Sequence, residues 1–399
     1  MKHRILVAAA AAAAMAATPV AVTPAFADGH GHKKVKVGFM QGFAGGRGIF
    51  GRYSFEGFEL ALEHLGGKLG GMEVELHKKD TQHKPDVART IMNEFIKKER
   101  VNFIAGITWS NVLAAVWKQA FRAKTFLISA NAGWSGMDGK NCNPYFFRAS
   151  WNNDMIPEAM GRLMKEEGIK DVFELSANYQ AGKDMLAGFN RTYQQPTKGK
   201  ILYKLGNNDW QAEISQIRAI KPKAIFGFLP GGMGISFMKQ YKAAGLDKQV
   251  KLYTVFTVDY GTIGAHGKNA IGSYHTTFWN SDSKDAVNQK FIKDYIKKYG
   301  KHPSMFSVQG YDAALLIDLG VKGAGGDLKN HDGIIKSMRT ANIKSPRGKF
   351  TYNVNHSPIQ DYYKREVVAD ASGKPKIVVR GKVASMAKDS HYTKCKMKW

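Results

Sequence analysis

The sequence is poor in residues that cross-link or interrupt a chain, with two cysteines and twelve prolines among 399 residues. So few cysteines exclude a disulfide-dense scaffold, and so few prolines exclude a proline-rich linker protein. Hydrophobic residues make up 44% of the chain and charged residues 23%, a balance that excludes a wholly disordered protein. The length is sufficient for two or three domains that each bury a core.

Long hydrophobic runs are also scarce. The longest begins after the basic residues Lys2 and Arg4 and covers residues 5–17, which is too short to span a bilayer. Small residues follow at Ala25 and Ala27, where a signal peptidase would read them. We therefore predict that residues 1–27 are a cleavable secretory signal peptide and that the protein is exported. The alternative for this segment is an N-terminal membrane anchor.

Acidic residues are few: 33 Asp and Glu against 59 Lys and Arg give a formal net charge of +26. Such a bias usually indicates a nucleic-acid partner. An exported protein meets little nucleic acid, and the lysines are dispersed on predicted helices beside acids, a pattern typical of a solvated surface. We therefore expect no nucleic-acid partner. A basic surface near anionic lipid and a cleft that attracts small anions stay open as alternatives.

Cys142 and Cys395 are the two cysteines of the chain. In an oxidising compartment an even number favours a disulfide, which here would join the middle of the chain to its tail. The alternative is two unpaired thiols.

Short apolar runs alternate with helical patterns along most of the chain, and three such strand–helix units in a row favour a parallel sheet covered by helices. In the first part, strands are predicted at 35–40, 72–79, 102–105 and 125–129, and helices at 53–65, 85–98 and 110–121. The rhythm then starts again, with strands at 171–175, 201–204, 224–228, 251–254 and 272–277, and helices at 154–167, 182–193, 211–220 and 234–244. Two further helices are predicted at 284–299 and 304–320, before a strand-rich tail.

We predict an α/β protein of two similar lobes. The first lobe takes residues 28–150 with about 283–345, and the second takes 151–282 with about 346–399. Ligands of open α/β sheets bind beyond the carboxyl ends of the strands, so two such lobes facing each other would form a binding cleft.

Three loops follow strands in the first lobe and are candidates for that cleft. Residues 41–51 contain glycines together with Phe43 and Phe50, and their literal GxGxxG lies too far beyond the strand for a dinucleotide site. Ser110 is placed as an N-cap, where the free N–H groups of a first helical turn attract an anion. The small residues Ala132 and Gly133 lie in the third loop, 129–134.

No catalytic or metal-binding motif is present: GxSxG, HExxH and CxxC are all absent. His30 and His32 could hold a metal, but a disordered mature terminus is the plainer interpretation. We therefore expect no enzyme activity, no cofactor and no metal.

The chain resembles the type I periplasmic solute-binding proteins of ABC transporters, specifically the branched-chain amino-acid-binding family and its aromatic-acid relatives. The resemblance spans nearly the whole mature chain, and it rests on the order and spacing of VKVGFMQGFAG, FEGFELALEHLGG, GITWSNVLAAV, FLISANAGW, CNPYFFRAS, NYQAGKDMLAGF and QYKAAGL. It implies a periplasmic location, two lobes joined by a three-crossover hinge, no enzymatic step and a membrane permease as partner. We expect a monomer.

The resemblance also implies site residues. Ser110 matches a serine that holds the ligand carboxylate, and Asn131 and Gly133 match the pair that completes this grip, although Gly133 replaces a usual threonine. Phe50 matches an aromatic residue over the ligand, and Tyr179 lies two residues before Ala181, where a tyrosine is common.

One departure from the family pattern bears on the ligand. Phe256 falls near the acidic residue that would pair an α-ammonium group, with Asp259 as the candidate replacement. A buried ammonium without a carboxylate is costly, so an α-amino acid is disfavoured. Aromatic residues that could form flat apolar walls are Phe43, Phe50, Trp109, Trp134, Phe228 and Phe256.

The leading hypothesis is therefore capture of an aromatic carboxylate such as a benzoate or hydroxycinnamate. Branched-chain amino acids, amides and urea stay open as ligands, and an exported α/β enzyme and a partner of a sensory receptor stay open as other classes.

Overall fold

A computed structural model describes residues 34–398. The predicted signal peptide and the histidines at 30 and 32 lie outside the described residues. Among residues 34–398, none of the helices combines the length and the apolar character that a membrane crossing requires.

The first half of the molecule is built on a six-stranded sheet. Its strands are β1 (Val35–Gln41), β2 (Lys68–Leu69), β3 (Met72–Asp80), β4 (Phe103–Gly106), β5 (Phe126–Ser129) and β6 (Phe146–Arg148), in the order β2-β3-β1-β4-β5-β6. Every pair is parallel except β2 with β3. Strands β4 and β5 are buried on both faces, which is why they appear in the sequence as continuous apolar runs.

The second half is built on an eight-stranded sheet in the order β12-β13-β11-β10-β9-β7-β8, with β14 paired to β13. Its strands are β7 (Val172–Ala177), β8 (Gly199–Tyr203), β9 (Ala224–Phe228), β10 (Lys251–Val255), β11 (Tyr274–Thr277), β12 (Thr351–Tyr352), β13 (Pro358–Ala369) and β14 (Pro375–Ala387). Strands β7 to β11 pair in parallel, and the tail strands β12 to β14 extend this core antiparallel.

Eleven α-helices among the described residues connect and cover these sheets. They are α1 (Ile49–His64), α2 (Pro85–Asn93), α3 (Ser110–Arg122), α4 (Met155–Glu166), α5 (Gln180–Tyr193), α6 (Gln211–Ile220), α7 (Gly232–Ala243), α8 (Ile263–His266), α9 (Ala286–Tyr299), α10 (Met305–Gly323) and α11 (His331–Arg339). Helix α10 is almost wholly buried and begins with a capping box between Ser304 and Ser307.

The chain passes three times between the halves. It leaves β6 for α4, which packs on the second sheet, and returns after β11 to α9 and α10. Helix α10 packs on α1 and β4 of the first half, and the third crossing leads from α11 to β12. The predicted fold class, two α/β lobes with mostly parallel sheets, is confirmed.

A disulfide joins Cys142, in the loop before β6, to Cys395 in the tail, with a Cα–Cα distance of 5.7 Å. The tail is also held by Asp389, which accepts hydrogen bonds from the side chains of Asn353 and Asn355. The predicted pairing of the two cysteines is therefore present, and it ties the last residues to the first half.

Several elements differ from the sequence prediction, among them the short elements β2, α8 and β12, which it did not contain. The helix predicted over 85–98 ends as α-helix at Asn93 and continues as a wider π-helical turn, Glu94–Glu99. Helix α11 and the short strand β6 were not predicted, because α11 has only nine residues and β6 only three. Periodicity is a weak signal over such lengths.

Candidate functional site

A cavity lies between the two halves, with an empty volume of about 370 Å³ that includes space open to solvent. Its walls come from loops at the carboxyl ends of the strands and from the amino-terminal parts of α1, α3, α5 and α10. The lining residues are Phe50, Thr108, Trp109, Ser110, Asn131, Trp151, Asn153, Tyr179, Ala181, Met185, Phe228, Pro230, Phe256 and Phe306.

The amino end of α3 forms a polar corner of this cavity. Trp109 is the N-cap residue in extended conformation, and Ser110 is the first helical residue, so the N-cap prediction for Ser110 was wrong by one position. The first helical hydrogen bond runs from the Val112 N–H to the Trp109 carbonyl at 3.0 Å. The N–H groups of Ser110 and Asn111 precede it, and such groups attract negative charge.

The Ser110 side chain is buried, and its orientation is set by a residue of the first crossing. The Asn153 amide donates from Nδ2 to Ser110 Oγ at 3.0 Å and to Asp184 Oδ2 at 2.8 Å. Burial raises the pKa of Asp184 above its usual value. Because Ser110 Oγ accepts from Asn153, its own hydrogen stays available for an acceptor in the cavity.

Two lining side chains carry buried polar atoms that have no hydrogen-bond partner among residues 34–398. Asn131 donates from Nδ2 to the Thr108 carbonyl at 2.8 Å, but its Oδ1 is unpartnered. The indole Nε1 of Trp109 is likewise unpartnered. Two residues of the lining therefore carry one acceptor and one donor that the other described residues do not satisfy.

The loop that carries Thr108 and Trp109 is held in a strained conformation. Ile107 has a φ of 61°, which is rare for a β-branched residue and costs roughly 1–3 kcal/mol. Its N–H donates to the Met40 carbonyl at 2.9 Å, and its carbonyl accepts from the Ala132 N–H at 2.9 Å. These bonds fix residues 107–110 between β1 and the loop after β5.

Most of the remaining wall is aromatic, with Ala181, Met185 and Pro230 as its aliphatic residues, and its rings contact one another in a continuous series. Phe50 packs on Phe306 with ring centroids 4.4 Å apart, and Trp109 faces Tyr179 across the two halves at 6.0 Å. Further pairs continue the wall through the second half: Tyr179–Phe228 at 6.2 Å, Phe228–Phe256 at 5.8 Å and Phe256–Trp151 at 4.9 Å. Such a wall suits a flat apolar group.

The structure brings seven of the eleven predicted ligand-binding residues to the cavity: Phe50, Trp109, Ser110, Asn131, Tyr179, Phe228 and Phe256. It does not bring Phe43, which instead packs on Phe55 at 6.0 Å, beneath Lys78 Nζ at 4.6 Å. It does not bring Asp259 either, because this carboxylate faces Arg365 Nη1 at 3.5 Å and accepts from backbone N–H groups.

Ala132 and Gly133 also lie outside the cavity lining. The Ala132 carbonyl accepts from the buried Arg148 guanidinium at 3.0 Å. A Cβ at Gly133 would lie 2.6 Å from Asn153 Oδ1, so the absent threonine leaves room that the Asn153 side chain fills. The Asn153 side chain that occupies this space donates to Ser110 Oγ.

Sequence reasoning missed seven lining residues: Thr108, Trp151, Asn153, Ala181, Met185, Pro230 and Phe306. The aromatic and polar run Trp151–Asn153 at the first crossing was the signal that could have indicated two of them. Ala181 stands where the resemblance places a tyrosine, and Thr108 directly precedes Trp109 in the candidate loop. The other three carry no local pattern that distinguishes them from core or loop residues.

The charge of the cavity follows from the composition of its lining. Among the described residues, the lining includes no Asp, Glu, Lys, Arg or His. Within 34–398 no group of three His, Cys, Asp or Glu is placed to hold a metal ion. The arrangement can therefore hold a small molecule through a helix amino end, hydrogen bonds and aromatic contacts.

Comparison with known proteins gives consistent results. Residues 34–374 match the periplasmic binding protein family. An ABC-transporter solute-binding protein from Rhodopseudomonas palustris in complex with benzoate is 30% identical, with a TM-score of 0.86 over 92% of this chain and 100% of that chain. None of the curated proteins matches this chain.

Two further solved structures are similar to this chain. A solute-binding protein from Rhodopseudomonas palustris BisB5 in complex with 3,4-dihydroxybenzoic acid is 28% identical, with a TM-score of 0.83 over 90% of this chain and 99% of that one. A leucine-binding protein from Thermotoga maritima is 22% identical, with a TM-score of 0.77 over 87% and 98%, which shows the shared fold.

Proposed function

Since the chain belongs to the periplasmic binding protein family, as a solute-binding protein of ABC transporters, we propose that it captures a small aromatic carboxylate and delivers it to a membrane permease. The expected ligand is of the benzoate or hydroxycinnamate type, and the expected location is the periplasm. The protein binds and releases this ligand without breaking a bond.

The observation that carries the proposal is the pairing of an anion-attracting helix start with an uncharged aromatic wall. A carboxylate at the start of α3 accepts from the Ser110 hydroxyl and from the N–H groups of the first turn. The ring lies against the aromatic side chains of both halves, such as Trp109 and Phe228. The solved relatives that bind benzoate and 3,4-dihydroxybenzoic acid support this ligand class.

Capture then proceeds by closure. An open cleft admits the ligand, the first half takes its carboxylate, and the second half closes over the ring through Tyr179, Phe228 and Phe256. The closed form is the one that docks on the permease. Contacts from both halves give the closed form its differential affinity for the ligand.

A branched-chain amino acid is the second candidate, favoured by the shared fold of the leucine-binding protein. The lining opposes it, because no acidic side chain among the described residues is placed in the cavity to pair an α-ammonium group. Asp259, the candidate for that role, faces Arg365 instead.

The test is a thermal-shift and calorimetric screen of the purified protein. Benzoate and 4-hydroxycinnamate are compared with leucine, with urea and with benzamide, which keeps the ring but lacks the charge. We expect the aromatic acids to raise the melting temperature by mass action and benzamide to have little effect. Stabilisation by leucine with none by the aromatic acids would refute the proposal.

A further inference from the structure

One hydrogen bond fixes the orientation of the side-chain amide of Asn131, a residue of the cavity lining. Its Nδ2 donates to the Thr108 carbonyl at 2.8 Å, and a carbonyl can only accept, so the nitrogen must point there. The oxygen is then the atom left over. It is buried and has no partner among the described residues, a state that costs roughly 1–3 kcal/mol.

A ligand carboxylate cannot relieve this cost. Asn131 Oδ1 and a carboxylate are both acceptors, so they repel each other and the carboxylate is better placed on Ser110 and the first turn of α3. The partner that Asn131 Oδ1 lacks is a hydrogen-bond donor on another part of the ligand.

The chemistry of the lining selects a neutral donor. An ammonium group would need a carboxylate, and the lining within 34–398 contains none. A hydroxyl donates to Asn131 Oδ1 and can also accept, and Trp109 Nε1 is a buried donor in the same cavity that has no partner.

We propose that Asn131 Oδ1 accepts a hydrogen bond from a ring hydroxyl of the ligand and thereby selects hydroxylated aromatic acids over unsubstituted ones. This inference rests on the proposed function, since it assumes that the ring belongs to an aromatic carboxylate. Asn131 then determines which ligands bind. It does not hold the carboxylate, which is the role that the family resemblance implied.

The experiment compares ligands that differ in one hydrogen-bonding group. Dissociation constants are measured by calorimetry for benzoate, for 2-, 3- and 4-hydroxybenzoate, and for the three methoxybenzoates, which keep the oxygen but lose the donor. For the wild-type protein we expect at least one hydroxybenzoate to bind about 10-fold more tightly than benzoate and than its methoxy counterpart.

Asn131→Leu should reduce that ratio to about 2 or less, because the contact with the ligand hydroxyl is lost. The variant also loses the hydrogen bond from Asn131 Nδ2 to the Thr108 carbonyl, which affects all these ligands alike, so the ratio and not the absolute affinity is the readout. Gln119→Leu is the matched control. Gln119 Nε2 also donates to a single oxygen, that of Asn93 at 3.0 Å, and its Oε1 is also buried and unpartnered, but it lies outside the cavity lining. This variant should keep the wild-type ratio.

Several outcomes would overturn the inference. Benzoate binding without any preference for a hydroxyl in the wild-type protein refutes the role of Asn131 and leaves the proposed function standing, and this measurement needs no folded variant. Equal weakening of benzoate and hydroxybenzoate by Asn131→Leu would indicate that the residue only supports Thr108. If no aromatic acid binds at all, the proposed function and the inference both fail.

Discussion

The Ser110 hydroxyl combines two properties that a carboxylate-holding group needs. It is buried at the start of a helix, where the unpaired N–H groups of the first turn carry partial positive charge, and its oxygen is fixed by the Asn153 amide at 3.0 Å. The hydrogen of the hydroxyl is therefore directed away from Asn153, and a ligand acceptor is its natural partner.

Removal of this hydroxyl should weaken binding selectively. A hydrogen bond to a charged group contributes about 1.5–3 kcal/mol, so Ser110→Ala should raise the dissociation constant for benzoate about 10- to 100-fold, as measured by calorimetry. Melting of the ligand-free variant controls for folding. An unchanged dissociation constant in a folded variant would show that the carboxylate lies elsewhere.

The residues of the site were predictable where the signal was local. Trp109 and Ser110 are marked by a strand, a short loop and a helix start, and all three can be recognised from periodicity and capping preferences. Asn153 has no such mark. Its contact with Ser110 spans 43 residues, and it depends on the absence of a side chain at Gly133, which sequence reasoning treated as a loss.

At the scale of elements, the third crossing is held to α10 by a buried ion pair. Arg347 Nε lies 3.1 Å from Asp312 Oδ2, and both side chains are almost fully buried. Burial raises the pKa of Asp312 to about 6, with Arg347 opposing that shift. The Arg347 guanidinium also lies 3.8 Å from the centre of the Phe350 ring and donates to Gln360 at 2.7 Å.

Replacing one partner of this ion pair should destabilise the protein more than replacing both partners. Arg347→Leu leaves the Asp312 carboxylate buried without its cation, and we expect a loss of about 3–5 kcal/mol in the free energy of unfolding by urea at pH 7. The double variant Arg347→Leu/Asp312→Leu should recover most of that loss, because no buried charge is left unpaired. Equal losses in the single and double variants would contradict this account.

Most elements of the fold could be predicted, because either their apolar pattern extends over many residues or they are completely buried. The bounds predicted for α6 and β9 agree with the structure, since each has a clear apolar pattern between turn residues. Helix α11 was missed because its nine residues offer one narrow apolar stripe, and that stripe packs on α10, a partner distant in sequence. Long-range packing of this kind leaves little trace in a local pattern.

The free energy of unfolding of the whole molecule should depend on pH because several histidines are buried. Burial lowers the pKa of His266 to about 4 and that of His356 to about 3, and it lowers the pKa of His275 well below its usual value. The folded protein keeps these rings neutral while the unfolded chain gains protons below pH 6.5 or so, so stability is lost as the pH falls through that value.

The His266→Gln variant isolates the contribution of one histidine. It separates this contribution from the opposite effect of the carboxyl groups of Asp138 and Asp312. Burial raises the pKa of both to about 6, which adds stability as the pH falls. When the pH falls from 7 to 5, His266 should lower the free energy of unfolding of the wild-type protein by about 2 kcal/mol, and the variant should not show this loss. Urea unfolding at the two pH values measures this difference. Parallel pH dependence in the two proteins would contradict the assignment.

The cavity can form only when the two halves meet, because the first half supplies the start of α3 with Trp109 and Phe50, and the second half supplies Tyr179, Phe228 and Phe256. In this structure the halves contact across it, through the Ser135 N–H and Asp184 Oδ2 at 3.3 Å and through the rings of Trp109 and Tyr179. A ligand held by both halves favours this closed arrangement over an open one, in proportion to its extra contacts there.

Benzoate should therefore reduce the radius of gyration measured by small-angle X-ray scattering at saturating ligand. Phe228→Ala removes a ring from the wall of the second half and leaves the helix start at Ser110 intact. We expect this variant to bind benzoate more weakly and, when it is only partly saturated, to show a smaller mean compaction. If saturating benzoate leaves the scattering of the wild-type protein unchanged, the ligand binds without closure, and the second half has no part in its capture.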